Sequence, residues 1–562
     1  MKSQLWKLLY AMVTLAVLLP SLAACGTPQP VAPTHGPTEP TTISSPAPPA
    51  ATPVPPTAAP EGPTVGGTLT YALNAEPQTL DAHGTFTEAA SEVMSFIGGT
   101  LVAKDVNGEY VPYLAESWEI SDDGLIWDFT LKKGVKFHNG APLTAHDWVW
   151  TFDRALEQAG LIAPMIASID SVEALDDYTL RLHLKQPFFP LLNSLAYHAL
   201  MPLSKAAVEE SGEQYGRQPI SVGPYMFKEW ITGEKIVLER NPDCEWGPPF
   251  AHQGPYYIDT IEFLILPEYD TVIAGLEAGE IDYAKIEPLS VQRIKDSGRF
   301  QVFDLVKQGM EPQLIMNVSK PPFTDVRVRQ AFNLAVDREA LLKLVESGYG
   351  EVQYGPLSSS MAGYWAGVEE SGYRFDLARA KTLMEEAGYT VGDNGMLEKD
   401  GQPLRIVMSA PANISSQVKV AEVLQEQYEQ LGVEIEMQVL EYATLWDALV
   451  AGDFVATIQG YSYPEADIMA IWFHSSYGPN FPKGQDVELD SLLEATRTAT
   501  DSATRQEALT EVQKHIVEQA YAVPLYAPSI FVAVSNRVEG VNFYPYHNLV
   551  WVRFDDAYVA GQ

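Results

Sequence analysis

Ser415-Ser-Gln-Val-Lys-Val-Ala-Glu-Val-Leu-Gln-Glu-Gln-Tyr-Glu-Gln-Leu-Gly432, followed by Val433-Glu-Ile-Glu-Met-Gln-Val-Leu440, decides the fold class. Val418, Ala421, Leu424, Tyr428 and Leu431 recur at three- and four-residue steps and so share one stripe of a helix. Gly432 ends that helix, because the left-handed residue that closes a helix is cheapest without a Cβ. Val433 to Leu440 then reads as a strand, Ala443 to Ala451 as a helix and Phe454 to Ile458 as another strand. Helix, glycine, strand, helix, strand is the pattern of a parallel α/β unit, since parallel strands need the long crossover that a helix supplies.

The alternation extends outward. Downstream, Asp501 to Gln519 has helical spacing and Ala522 to Leu525 is strand-like. Upstream, helices are predicted at Val326 to Ala335 and Asp376 to Ala387, with strands at Gln313 to Asn317 and Leu404 to Ser409. In the N-terminal half, strands are predicted at Thr68 to Leu73, Leu125 to Leu131, Tyr178 to Leu184, Lys235 to Leu238 and Ile258 to Leu266. Tyr178, Leu180, Leu182 and Leu184 fall on one face of theirs. Glu88 to Leu101 has helical spacing that Gly98-Gly99 should cut short, and Thr144 N-caps a helix reaching Leu156.

A chain of 562 residues is long enough for two or three domains. Its 36 Lys+Arg against 73 Asp+Glu give a net charge of −37, which repels a phosphate backbone and argues against nucleic acid as a partner. Two cysteines exclude a disulfide framework or a multi-cysteine metal cage. Lys2 and Lys7 precede an apolar run from Leu8 to Leu19, the layout of a secretory signal. Residues 26 to 64 hold 13 Pro and 8 Thr with only Glu39 and Glu61 charged, so they read as a semi-rigid tether. Fully extended, it spans about 120 Å. Lys2 and Lys7 cancel Glu39 and Glu61, so the whole charge excess belongs to residues 65 to 562.

No enzyme motif stands out. There is no His-Glu-x-x-His helix, Gly-x-Ser-x-Gly elbow, phosphate loop or Gly-x-Gly-x-x-Gly fingerprint. His138 and His146 have no ligand spacing and read as surface or capping residues, and no cofactor or metal is expected. Cys244, beside Asp243 and Glu245, has no nearby cation to activate it and reads as an inert thiol. Asp122-Asp123 and Asp176-Asp177 sit in turn contexts.

Collinear motifs say more. Leu114-Ala-Glu-Ser-Trp118, Asp122-Asp-Gly124, Trp127-x-Phe129-x-Leu131, Gly134-x-x-Phe137-His-x-Gly140 and Leu143-Thr-Ala-His-Asp147 follow one another. Gly223-Pro-Tyr225, Asn317, Pro322-Phe-Thr-Asp-Val-Arg-Val-Arg-Gln330, Ala335-x-Asp337-Arg338, Ala378 and Ala380 with Leu383, Ala387-Gly-Tyr389 and Val523-Pro-Leu-Tyr526 come after them in order. From about residue 68 to 555 the chain resembles the family 5 extracytoplasmic solute-binding proteins, receptors of ABC importers. Leu22-Ala23-Ala24-Cys25 resembles a lipoprotein lipobox, which implies cleavage after residue 24 and a lipid on Cys25.

The resemblance implies an α/β, two-lobed periplasmic-binding-protein-like fold of class II type. Lobe I would comprise 66 to 305 plus 524 to 562, with an extra subdomain inserted near 105 to 220, and lobe II 306 to 523. Crossings near Met310 to Leu314 and Val523 to Tyr526 would form the hinge. The receptor would be a non-catalytic monomer that hands its solute to an ABC permease, held outside the cytoplasmic membrane by lipid alone. Trp118, Trp127 and Phe129 should be packing residues, and Arg327, Arg329 and Arg338 local ion pairs with Asp325 and Asp337.

The solute is less settled. Peptide receptors of the family carry Gly-Trp-x-x-Asp-Tyr-x-Asp-Pro, whose first Asp pairs with the peptide ammonium group. Here the segment reads Gly460-Tyr461-Ser462-Tyr463-Pro464-Glu465-Ala466-Asp467, which puts Ser462 at that place. A hydroxyl cannot neutralise a buried ammonium, so Glu465 or Asp467 substitutes, or the solute has no α-amine. Tyr461, Ser462, Tyr463 and Trp472, with Trp446 upstream, are the expected contacts from lobe II, and the loop from Asp81 to Glu88 supplies them from lobe I. Peptide is the default solute, and the aromatic cluster keeps an oligosaccharide open. A rival of another class is a lipid-anchored glycoside hydrolase, which would need a close, buried carboxylate pair in the cleft.

Overall fold

The helix that decides the fold class runs Ser415–Leu431 and ends on Gly432 at φ +93° in the computed structural model, which describes residues 63–560 except 86, 158–162, 478 and 544–551. Cys25 and the Pro/Thr-rich tether as far as residue 62 lie outside the described residues. The buried stripe of this helix is Gln417, Val420, Ala421, Leu424, Tyr428 and Leu431. Val418, expected in it, packs at the margin, because the face is turned toward Val420.

Two sheets organise the chain. One takes the order Glu434–Leu440, Arg405–Pro411, Ala456–Tyr461, Met310–Met316 and Ala522–Pro524. Arg405–Pro411 is parallel to both of its neighbours, as the helix–strand alternation requires. The other runs Phe300–Val306, Tyr526–Ser535, Tyr283–Ile286, Thr68–Leu73, Thr260–Ile265, Lys235–Arg240 and Tyr225–Ile231, with Gly350–Val352 also paired to Tyr526–Ser535. The chain therefore passes from one sheet to the other between Val306 and Met310 and again between Pro524 and Tyr526. Gly350–Val352 lies inside the 306–523 segment yet pairs with the larger sheet, a departure from the simple two-segment expectation.

A third, four-stranded antiparallel sheet is built from Ala115–Ile120, Ile126–Leu131, Thr179–Leu184 and Ile169–Asp176. Alternation works as expected there: Trp127, Phe129 and Leu131 face Leu180, Leu182 and Leu184 in one core. Ala145–Glu157 covers that sheet, starting where Asp147 accepts from the Thr144 backbone and hydroxyl at 2.8 Å. The helix predicted from Glu88 stops at Ile97, since Gly98 is extended and a Cβ there would strike Met201 Sδ at 2.3 Å.

The cores stay separate. Among the described residues, three clusters of buried apolar side chains draw on residues 69–300 and 531–559. The other two draw on 310–526. No cluster mixes buried members from both groups.

Two arginines differ from expectation. Arg327 pairs with Asp325 at 2.6 Å. Arg329 and Arg338 are buried and direct their guanidinium groups at backbone carbonyls: Arg329 at Gln519 and Phe323, Arg338 at Pro524, Asn333 and Tyr373. Asp325 and Asp337 are instead helix N-caps, so the acids near these arginines were already committed. His138 is a bracket inside the fold: its Nδ1 accepts from the Ser221 amide and its Nε2 lies 3.1 Å from the Gly223 carbonyl. Cys244 is fully buried, and burial pushes its thiol up to about 12.

Candidate functional site

Open α/β sheets bind ligands beyond the carboxyl ends of their parallel strands, where loops diverge and backbone groups are free. Applied to the smaller sheet, that rule selects the residues after Leu440 and Tyr461. Tyr461 is 49% exposed, and Tyr442 and Trp446 are each 37% exposed. Tyr442 and Trp446 are four apart on the helix Tyr442–Ala451, and their rings stack at 6.2 Å. Tyr461 and Tyr463 lie 6.3 Å apart, ring to ring. These side chains form an aromatic rim at the end of the sheet.

Ser462 sits behind that rim. Its hydroxyl donates to Glu311 Oε1 at 2.9 Å, and the other carboxylate oxygen lies 3.4 Å from Lys307 Nζ. Glu311 is 3% exposed. Burial raises its carboxyl, against the pull of Lys307. A register shift between Met310 and Gln313 accompanies this placement in the strand facing Ala456–Tyr461. A hydroxyl has one proton and two lone pairs, so with the proton on Glu311, Ser462 can only accept from a solute. Gly309, at φ +132°, lies directly under this turn; a Cβ there would come within 2.3 Å of the Tyr461 carbonyl oxygen.

In the larger sheet the same rule selects residues after Leu73, Ile265 and Ile286, the ends of strands parallel to one another. Lys285 Nζ is held between Glu88 Oε1 at 2.5 Å and Glu92 Oε1 at 2.6 Å. Burial raises the Glu92 carboxyl against Lys285's attraction; burial also opposes charge on Lys285, but Glu92 and Glu88 outweigh it and leave the lysine raised. Burial pushes the Tyr197 hydroxyl up to about 12, with its hydrogen bond to Ser91 opposing the shift and Tyr461 adding to it. Ser91 Oγ is 3.5 Å from the Tyr197 hydroxyl.

Of the residues expected from sequence, Tyr461, Ser462, Tyr463 and Trp446 come together at the end of the smaller sheet, and Glu88 stands at the end of the larger one. Trp472 and Asp81 do not join them. Trp472 is 3% exposed and packs edge-on against Phe481 at 4.7 Å, inside a core. Asp81 is gripped by Arg154 at 3.0 and 2.5 Å and so braces its loop. Glu465 and Asp467 are also committed, to Arg505 and, at 2.6 and 2.8 Å, to Arg497. Sequence reasoning missed Tyr442, which its four-residue spacing from Trp446 could have revealed. It also missed Glu311 and Tyr197, whose placement depends on a strand irregularity and a long-range approach.

A carboxylate pair of the kind a glycosidase needs is approached by Glu88 and Glu92, but Lys285 occupies the space between them. Among the described residues no group of three or more His, Cys, Asp or Glu is arranged to hold a metal, and no helix is long and apolar enough to cross a membrane.

Residues 109–481 match the family described as "Bacterial extracellular solute-binding proteins, family 5 Middle". The oligopeptide-binding protein AppA of Bacillus subtilis is 28% identical over 501 residues, covering 86% of this chain and 90% of that protein. The structure of AppA in complex with a nonapeptide superposes with a TM-score of 0.66 at 26% identity, over 89% of this chain and all of that one. NikA from Brucella suis, in complex with Fe(III)-EDTA, shares the fold at a TM-score of 0.75 and 23% identity, over 88% of this chain and all of that one. The chain belongs to the bacterial extracellular solute-binding proteins of family 5, and it is a non-enzymatic, extracytoplasmic receptor of ABC transport.

Proposed function

We propose that this receptor closes two hinged halves on an oligopeptide and delivers it to an ABC import permease. The observation that carries the reading is the separation of the cores: buried apolar clusters stop at the two strand crossings, so the halves can rotate without unpacking either interior. On this reading one half comprises 66–305 with 524–562, the other 306–523, and the strand ends bearing Tyr461, Ser462 and Trp446 face those bearing Glu88 and Tyr197. Likeness to AppA over most of both chains supports a peptide. So does the acceptor at Ser462, which suits a peptide N–H. Cys25 carries the lipid that holds the receptor at the outer face of the membrane, and residues 26–64 are its tether.

An oligosaccharide is the second reading. The exposed ring faces of Tyr442, Trp446 and Tyr461 favour it, as sugar faces stack on such surfaces. A thermal-shift panel of di- to nonapeptides, their N-acetylated forms and gluco- and xylo-oligosaccharides separates the two. A solute at 100 times its dissociation constant adds about 2.7 kcal/mol. Shifts with peptides support the first reading, shifts with sugars alone replace it by the second, and no shift from either class removes both.

A further inference from the structure

The two oxygens of the Glu311 carboxylate have different neighbours. Oε1 accepts from the Ser462 hydroxyl at 2.9 Å, while Oε2 lies 3.4 Å from the Lys307 ammonium. Glu311 is buried at the start of the strand Met310–Met316, whereas Ser462 is half-buried in the turn that carries the aromatic rim. The other titratable groups that act on this carboxylate come from separate elements. Glu346, which follows the helix Arg338–Val345, accepts from the Tyr526 hydroxyl at 2.8 Å. Burial raises the Glu311 carboxyl and Glu346 adds to the rise, while Lys307 and the Ser462 hydrogen bond oppose it. Glu311 in turn helps to raise the Tyr526 hydroxyl.

We infer that Glu311 sets the hydrogen-bonding polarity of Ser462: ionised, it makes Ser462 an acceptor for a peptide N–H, and protonated, it makes Ser462 a donor to a peptide carbonyl. The inference rests on the peptide reading above, in which Ser462 meets the solute. A serine hydroxyl has one proton, and an ionised carboxylate can only accept, so that proton is committed to Glu311 and only lone pairs face outward. When Glu311 takes up one proton from solvent, the two oxygens are not equivalent. Oε2 faces an ammonium, which is a donor only, so the proton settles on Oε1 and points at Ser462. Ser462 then accepts from Glu311 and turns its own proton outward. No other bond has to change, and Lys307 is the group that selects the oxygen. Glu311 is therefore a positioning residue: it touches no solute itself, yet it decides which backbone group of a peptide can lie against Ser462. A peptide bound through an N–H in one state has to present a carbonyl in the other, which shifts its register along the rim.

The probes that test this are the tightest-binding peptide of the thermal-shift panel and its single amide-to-ester analogues, each replacing one N–H donor by an oxygen. Amide and ester share their termini, so the ratio of their dissociation constants is free of the termini's own titration. In wild type at pH 8 the ester at one position should bind about threefold to tenfold more weakly, and Ser462→Ala should erase that penalty, which identifies the N–H that meets Ser462. Glu311→Gln should erase it too, because the amide turns its oxygen to Lys307 and its NH2 to Ser462. The penalty should also shrink in wild type between pH 8 and pH 5, and this profile decides the matter if Glu311→Gln does not fold. An ester penalty that survives undiminished in Glu311→Gln, or a set of penalties of which none responds to Ser462→Ala, overturns the inference and leaves the peptide reading standing. A panel in which no peptide binds removes both.

Discussion

Glu311 and Ser462 occupy facing strand ends with 2.9 Å between their side-chain oxygens, and that spacing explains why an aspartate does not stand at 462. Two carboxylates so close cannot both ionise in a buried setting. Ser462→Asp should therefore lower the melting temperature at pH 7 and regain part of the loss near pH 5, as one of the pair takes a proton. Ser462→Ala, which leaves Glu311 short of one hydrogen bond, should cost about 1–2 kcal/mol with little pH dependence. Melting curves across that range distinguish the two variants.

Asp81 is held by Arg154 and braces its loop. Its bidentate partner Arg154 is 13% exposed and Asp81 itself 18% exposed. Asp81→Ala strands a mostly buried guanidinium and should cost about 3 kcal/mol in denaturant unfolding. Whatever solute the thermal-shift panel finds should retain its dissociation constant in this variant. A loss of affinity without a loss of stability would return Asp81 to the binding site.

Two histidines make the protein acid-sensitive. Burial, helped by Arg154, lowers His83 to about 4, and burial lowers His138 to about 4. Both are neutral in the fold at pH 7, while the unfolded chain protonates them near 6.5. Between 6.5 and 4 the unfolded state binds more protons, so their contribution is complete above pH 6.5 and is lost as pH falls toward 4. At pH 5 the loss should be up to about 2 kcal/mol for each histidine. Calorimetry at pH 7 and pH 5 checks this, and His138→Gln should reduce the difference.

Separate interiors should melt separately. Phe129 is fully buried in the core of the four-stranded sheet. Phe129→Ala should cost about 3–5 kcal/mol there, while the cluster around Leu424 and Tyr428 is untouched. A single calorimetric peak should then split in two, the later one at the wild-type temperature. A single peak shifted as a whole would show the halves to be one cooperative unit.

Local pattern made most of the fold readable. The stripe from Ser415 and the alternation at Tyr178 to Leu184 each report burial on one face, which neighbouring residues record directly. Tyr526–Ser535 escaped because Pro528 interrupts a stretch whose strand character comes from partners at Phe300–Val306 and Tyr283–Ile286, far away in sequence. The rim at Tyr461 was legible because aromatics clustered near one segment. Trp472 misled for the same reason, since clustering cannot tell a ring that faces solvent from one that faces Phe481. The commitment of Glu465 and Asp467 to arginines some thirty to forty residues away left no local trace.

Gly309 carries a mechanical consequence. It belongs to the Val306–Met310 crossing and touches the Tyr461–Tyr463 turn at backbone distance. If the halves swing about this crossing, displacement grows with distance from the pivot. The Tyr461–Tyr463 turn, beside the pivot, then travels least, and groups further from the crossing travel more. Such a lever keeps the reading surface steady while its far arm opens the door.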